Sequence, residues 1–403
     1  MLTLKSTLIL AALTGLGWQT AQAAPDLHEA IQAGYEHYPQ RALGDAVQRQ
    51  GDAIRRQASS LLADDPALSL RHENDAWTDG DGFRSWEGGV ELPLWLPGQR
   101  DRRNAVADAT DREAEGIRRL QYWRVAGDIR ELLWSLRIAE TELSLATQAV
   151  DSASVLERDI SRRFDAGELA RTDLILAQRE TLARQGERIA AQAGLDTLQQ
   201  QYEIWTGLTQ LPSAIEEPAA ADEQISDDHP ALQAARLAVG RARAARDRVQ
   251  GEKRANPVLI LGSKSERPVA GVNYDTSLTA EFHLPLGMKS QAAIRTADAE
   301  RDLTEAGGEL ARVRRELDNT LRERLVERRT AERALELAQR QQALASEGLR
   351  LTQRAFELGE SDLFTLLQAR AQALASERDL RLRRLELGRA TARFNQAMGV
   401  IPE

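Results

Sequence analysis

Residues 272–286, VNYDTSLTAEFHLPL, decide the architecture. Val272, Tyr274, Thr276, Leu278, Ala280, Phe282, Leu284 and Leu286 share one parity, and Asn273, Asp275, Ser277, Thr279, Glu281 and His283 the other. A period of two predicts a β-strand with one polar and one mostly apolar face. Residues 258–266 supply a partner strand, and residues 267–271, with Pro268 and Gly271, the turn. The same plan stands earlier in the chain. Trp86, Gly88, Val90, Leu92 and Leu94 alternate with Glu87, Gly89 and Glu91, a partner strand covers residues 67–75, and a Gly/Asp-rich loop covers residues 77–82. Each strand matches the roughly 9–11 residues of a membrane β-strand. Four strands cannot close a barrel, since even small barrels need about eight, and an open edge is not tolerated in lipid. Either the hairpins pack on soluble protein, or several chains pool their strands, eight in a dimer or twelve in a trimer. Trp86, Trp95, Tyr274 and Phe282 are placed to lie near the membrane interfaces.

Working outward, the two hairpins belong to a tandem duplication. His37-Tyr38-Pro39 answers Asp228-His229-Pro230, Asp65-Pro66 answers Asn256-Pro257, and Leu92-Pro93-Leu94 answers Leu284-Pro285-Leu286. Phe164-Asp165-Ala166-Gly167 answers Phe356-Glu357-Leu358-Gly359, and the Gly207 end answers the Gly399 end. The offset holds at 191 or 192 residues throughout, as chance matches would not. The expected division is a first repeat at 24–208 (a helix, a β-hairpin at 67–95, a long helical hairpin at 98–208) and a linker at 209–227. A second repeat at 228–400 follows (a helix, a β-hairpin at 257–286, a long helical hairpin at 288–399).

The tracts after each β-hairpin read as long helices. No proline interrupts Pro97 to Pro212 or Pro285 to Pro402. Leu303, Leu310 and Leu317 recur every seventh residue, with Ala306, Val313 and Leu321 in the same stripe; Ile117, Leu120, Gly127, Trp134 and Ile138 make its counterpart. Gly167 and Gly359 mark the mid-tract breaks, with Thr172 or Ser361 as the next helix cap. The first arm, residues 100–163, would reach roughly 95 Å, with a shorter return arm.

Composition agrees and excludes other classes. In 403 residues, aromatics are 4%, charged residues 29%, and the net charge is -9. The acid excess argues against a nucleic-acid partner, and the lack of cysteine removes disulfides, thiolate metal sites and a thiol nucleophile. Residues 1–23 carry Lys5, an apolar run from Leu8 to Leu16 and Ala21-Gln22-Ala23, the plan of a secretory signal peptide. No later stretch approaches a membrane helix. The five histidines show no metal-ligand spacing, and no nucleophile or phosphate-loop motif is present. No enzyme activity, cofactor or metal is expected.

With these residues in place, the chain resembles the TolC-type outer-membrane efflux proteins, particularly the heavy-metal and cation efflux branch. The resemblance spans the mature chain. It rests on the duplicated plan and on residues 91–100, Arg163-Phe164-Asp165-Ala166-Gly167-Glu168 with Thr172-Asp173-Leu174, and Phe356-Glu357-Leu358-Gly359 with Leu366-Leu367. It implies a mainly α fold with a small β part: a homotrimer whose long helical hairpins form an α-barrel and whose twelve strands form one outer-membrane β-barrel. It further implies that the tips, Phe164, Gly167, Glu168, Thr172 and Asp173 on one hairpin and Phe356, Gly359, Glu360, Ser361 and Asp362 on the other, form the periplasmic entrance. That entrance would dock a periplasmic adaptor joined to an inner-membrane transporter such as an RND-type pump. Where the best-known member has paired aspartates on the second tip, this chain has Thr365 and Gln368. Arg162, Arg163, Arg171 and Arg354 are candidates for salt bridges holding the tips shut, and bulky residues at Gly167 and Gly359 are expected to impair export. Alternatives are the outer-membrane component of type I protein secretion and a soluble periplasmic coiled-coil adaptor or scaffold.

Overall fold

The computed structural model describes residues 25–77, 80–287 and 289–402. The expected signal peptide, part of the residue 77–82 loop and Met288 at the head of the second long hairpin lie outside them.

The order of elements follows the sequence periodicities. Helix α1 (Leu27–His37) starts at a capping box, with Asp26 accepting from the Glu29 N–H at 2.7 Å and Glu29 accepting from the Asp26 N–H at 3.1 Å. A 3-10 turn (Pro39–Arg41) leads into α2 (Ala42–Ser59), then strands β1 (Ala67–Asn74) and β2 (Arg84–Pro93). Helix α3 (Gln99–Asp165) returns through α4 (Arg171–Thr206). The second half is α5 (Pro230–Gly251), β3 (Val258–Arg267), β4 (Asp275–His283), α6 (Lys289–Glu357) and α7 (Leu363–Ala397). The 67 residues of α3 and 69 of α6 make rods of about 100 Å. Strand β4 is shorter than its alternation suggested: Val272 and Tyr274 lie in the turn before it. Helix α1 has no helical counterpart 191 residues on, where residues 218–228 run without helix or strand.

One lateral order holds at every height. The strands form a single antiparallel sheet, β1-β2-β3-β4. Below it the packing runs α2-α3-α5-α6, and below that α4-α3-α7-α6. The molecule is therefore a wall four columns wide. The first column is α2, β1 and α4; the second β2 and α3; the third α5, β3 and α7; the fourth β4 and α6. Among the described residues, α1 aside, no helix or strand packs beyond the first or the fourth column.

The core follows from this plan. Middle-column α3 supplies Val125, Ile129, Leu132, Leu133 and Trp134 to a cluster with Leu27 and Ile31 of α1 and Leu195 and Tyr202 of α4. Edge-column α6 buries Leu317, Leu321 and Ala338 and is otherwise largely open. Leu303, Ala306, Leu310 and Val313, the stripe read from the sequence, are half-buried between exposed neighbours.

Among the described residues, no helix packs across either face of the sheet. The register puts Leu68, Val90, Leu261 and Ala280 in one cross-strand row, and Leu70, Gly88, Ser263 and Leu278 in the next. Register partners share a face, and this face is apolar and bare: Leu68 is 82% exposed and Leu278 91%. The opposite face carries Glu73, Glu87, Glu91, Lys264, Glu266 and Glu281, with Lys264 paired to Glu266 at 2.6 Å. At the β2–β3 seam Gly262 faces Gly89, and a Cβ on Gly262 would stand 2.3 Å from the Gly88 carbonyl oxygen. Of the expected interface aromatics, Trp86 lies in the sheet, stacked on His72 at 3.9 Å. Trp95 turns to the helices, donating its indole N–H to the Ser60 carbonyl at 3.0 Å.

Candidate functional site

The two hairpins end side by side. Leu156 and Ile160 of α3, Ala177 of α4, and Leu363 and Leu366 of α7 form one buried cluster, with Leu349 and Phe356 of α6 packed against it. The tips of both repeats are thus a single body. Both tip phenylalanines are half-buried, but Phe356 packs against this cluster and Phe164 does not.

Each long helix stops by the same device. The Gly167 N–H donates to the Phe164 carbonyl at 2.9 Å and the Glu168 N–H to the Arg163 carbonyl at 2.9 Å. At the second tip the Gly359 N–H donates to Phe356 at 3.1 Å and the Glu360 N–H to Ala355 at 2.8 Å. These are paired Schellman closures, with glycine at φ 80° and 77°. A Cβ at either glycine would meet nothing within 4 Å. Within one chain the requirement at both is left-handed backbone, not space.

The caps differ from the sequence reading, by two residues at the first tip and by one at the second. Helix α4 begins behind Ala170, whose N–H donates to the Asp173 carboxylate at 3.2 Å; Thr172 is exposed. Helix α7 is capped by Asp362, which accepts from the Thr365 N–H at 2.7 Å. Bonds from the Thr365 side chain and backbone hold the Asp362 carboxyl below its ordinary pKa. Both tip aspartates therefore fasten the first turn of a return helix. Glu168 and Glu360 are exposed, and Ser361 half-buried.

The expected inter-hairpin salt bridges are absent among the described residues. Arg162 and Arg163 both reach Asp159 at 3.1 Å, and Arg354 reaches Glu357 at 3.3 Å, all within their own helices. Partners three and four residues away lie on the same helical face and capture these side chains first. One cationic contact crosses instead: the Arg163 guanidinium lies 5.5 Å from the centre of the Phe356 ring. Arg370 of α7 was not singled out from sequence. Burial pulls its pKa below the ordinary arginine value, against the opposing charge of Asp159.

A second polar centre lies where the segment between α4 and α5 crosses the wall. Arg130 is 3% exposed and grips Glu217 with two bonds, at 2.8 and 2.7 Å. Its Nη1 donates to Gln396 Oε1 at 2.6 Å and to the Val400 carbonyl at 3.1 Å. Asn395 donates to the Pro218 carbonyl and accepts from the Ala220 N–H, both at 2.9 Å. Nearby His229 is 1% exposed, packs edge-on against Trp123 and accepts the Ala231 N–H through Nδ1 at 3.1 Å. Burial pushes its pKa down to about 4. Nothing in the sequence singled out this clamp: Arg130 is one of three charged residues between Val125 and Leu133, with Asp128 and Glu131. Among the described residues, no three His, Cys, Asp or Glu side chains converge as a metal site.

Comparison with known proteins agrees with this geometry. Residues 223–400 match the family described as outer membrane efflux protein. No curated protein matches the chain. Among solved structures, the fold is similar to CusC, whose structures concern folding and transmembrane channel formation (TM-score 0.73, 13% identity, 93% of each chain covered). It is similar to the outer membrane protein VceC of Vibrio cholerae (TM-score 0.69, 14% identity, 93% of this chain and 96% of that one). It is also similar to the CmeC outer membrane channel of Campylobacter jejuni (TM-score 0.71, 14% identity, 93% and 86%). Residues 223–400 thus match the outer membrane efflux protein family, and the whole chain shares the fold of these solved structures.

Proposed function

We propose that this protein is the outer-membrane duct of a tripartite efflux system, assembled from three copies of the chain. The observation that carries the reading is the four-column wall, open at both edges from sheet to tips. An arc with different left and right edges closes only by head-to-tail rotation. The edges are prepared for it. On α4, Ile175, Leu182 and Ile189 are exposed at seven-residue spacing; on α6, so are Leu337, Leu344 and Leu351, with Leu358 just past its end. Each stripe also carries a glycine with open space above it, Gly186 and Gly348. Apolar heptads with small residues suit close helix packing between neighbouring copies. Three copies supply twelve strands, the apolar sheet face meets lipid, and the charged face lines the exit.

The two-repeat division, with a linker at 209–227, fits this reading as the origin of the four columns. The joined tips, around Phe164, Gly167, Glu168, Thr172, Asp173, Phe356, Gly359, Glu360, Ser361 and Asp362, are the surface offered to a periplasmic adaptor. An inner-membrane transporter of the RND type drives export through that adaptor. The duct works by opening and closing, not by bond chemistry. Light scattering of protein extracted from outer membranes in mild detergent is the test. Three chains per particle are expected, and a stable lone subunit overturns the proposal.

A further inference from the structure

The apolar face of the sheet changes character towards the end far from the helices. Above the rows of Leu68 and Leu70 lies the row His72, Trp86, Ser265 and Thr276, and above that Asn74, Arg84 and Arg267. Arg84 and Arg267 are direct register partners across the β2–β3 seam. By strand parity they share the face that carries Leu68, Val90 and Leu278. Like charges set directly opposite each other destabilise a sheet. Among the described residues no carboxylate forms a salt bridge with either arginine, whereas the helical arginines of this chain are widely paired at three or four residues. Arg267 is half-buried, its guanidinium lies 5.5 Å from the centre of the Tyr274 ring, and its buried Nε has no hydrogen-bond partner. Eight residues separate Arg84 from Leu92 at the other end of the band, about 27 Å along the strand. Tilted as barrel strands are, that run spans most of the ~25 Å apolar height of an outer-membrane barrel. The two guanidinium groups therefore stand where acyl chains end and headgroups begin.

We propose that Arg84 and Arg267 form a binding site for a phosphate-bearing lipid headgroup of the outer leaflet, with Trp86 and Leu278 against its acyl chains. Guanidinium forks match phosphate oxygens in pairs, and an anion between the two arginines relieves their mutual repulsion. The proposal rests on the membrane-duct reading.

The experiment uses the full mature chain in detergent, with native mass spectrometry of bound lipid. The probes are bis-phosphorylated lipid A and the same lipid stripped of phosphate. The chain as it stands is expected to retain the phosphorylated form at least tenfold more. Arg84→Gln alone should cut that preference several-fold, Arg84→Gln with Arg267→Gln should abolish it, and the two lysine replacements should keep part of it. Equal retention of both lipids, or an unchanged preference in the double variant, overturns the site. Full displacement by millimolar inorganic phosphate also overturns it, because the arginines would then hold a free anion. The same spectra read assembly. A chain that forms no oligomer sinks the duct and the lipid site together, while an intact oligomer without phosphate preference sinks the lipid site alone.

Discussion

Helices α3 and α6 are of nearly equal length, yet α3 buries side chains at intervals from Val106 to Ile160 while α6 is open along most of its outer face. The difference is position: α3 has α4 or α2 on one side and α7 or α5 on the other, and α6 has a neighbour on one side only. Their sequences record it. The α6 stripe Leu337, Leu344, Leu351 stands 192 residues beyond Leu145, Ser152 and Asp159 of α3. The α4 stripe Ile175, Leu182, Ile189 precedes Leu367, Leu374 and Arg381 of α7 by the same offset. Full exposed heptads thus occur in the edge copy of each pair and not in the interior copy. On the proposed reading, duplication supplied the four columns, and the two edges then diverged into surfaces for another copy.

The largest way to break that contrast is to charge the seam. Leu344→Glu with Leu351→Glu removes two apolar anchors, each worth about 1.5–3 kcal/mol when buried, at every junction of the ring. Light scattering should show single chains, and Leu182→Glu with Ile189→Glu should do the same from the other edge. Trimers in both variants would show that these stripes are not the seam. Next in size is the interior clamp. Arg130→Met leaves Glu217 buried without its partner, an expected loss of about 3–5 kcal/mol. Adding Glu217→Leu should restore much of it, as read by thermal unfolding.

The contrast also shows what was legible in the sequence. Strand alternation, proline spacing and the constant offset announced the strands and long helices, because each is a local signal read along one chain. The wall order was not legible, since nothing in a heptad says whether its neighbour lies in the same chain. The tip-arginine contacts were hidden for a related reason: Asp159 and Glu357, one turn away, capture Arg163 and Arg354, and Phe356 takes Arg163 across the gap between the hairpins. The clamp stayed hidden because Arg130, Glu217 and Gln396 are far apart in sequence.

A smaller effect distinguishes the clamp from the exposed edges by pH. His229 is neutral when folded, with its pKa held near 4 by burial, against an unfolded value near 6.5. Between those values the unfolded chain binds more protons. Stability should therefore fall as pH drops from about 6.5 towards 4, by at most about 1.4 kcal/mol per unit from this group, and flatten below. His229→Gln should remove that component from a denaturation series. An unchanged slope would mean that the site admits the imidazolium.

The smallest effect separates backbone handedness from bulk at the tips, where the two repeats remain alike. Gly167 and Gly359 hold the same left-handed geometry with open space around them. Alanine there pays the left-handed penalty of about 1–2 kcal/mol, while asparagine, though larger, tolerates that conformation. Gly167→Asn should therefore disturb export and tip stability less than Gly167→Ala, and the order should repeat at Gly359. Hydrogen exchange at the Glu168 and Glu360 amides reads the closure directly, since each donates the outer bond of its Schellman pair. The reverse order, with asparagine worse at both sites, would mean that in the assembled ring something presses on the tips, and that space rather than conformation selects glycine there.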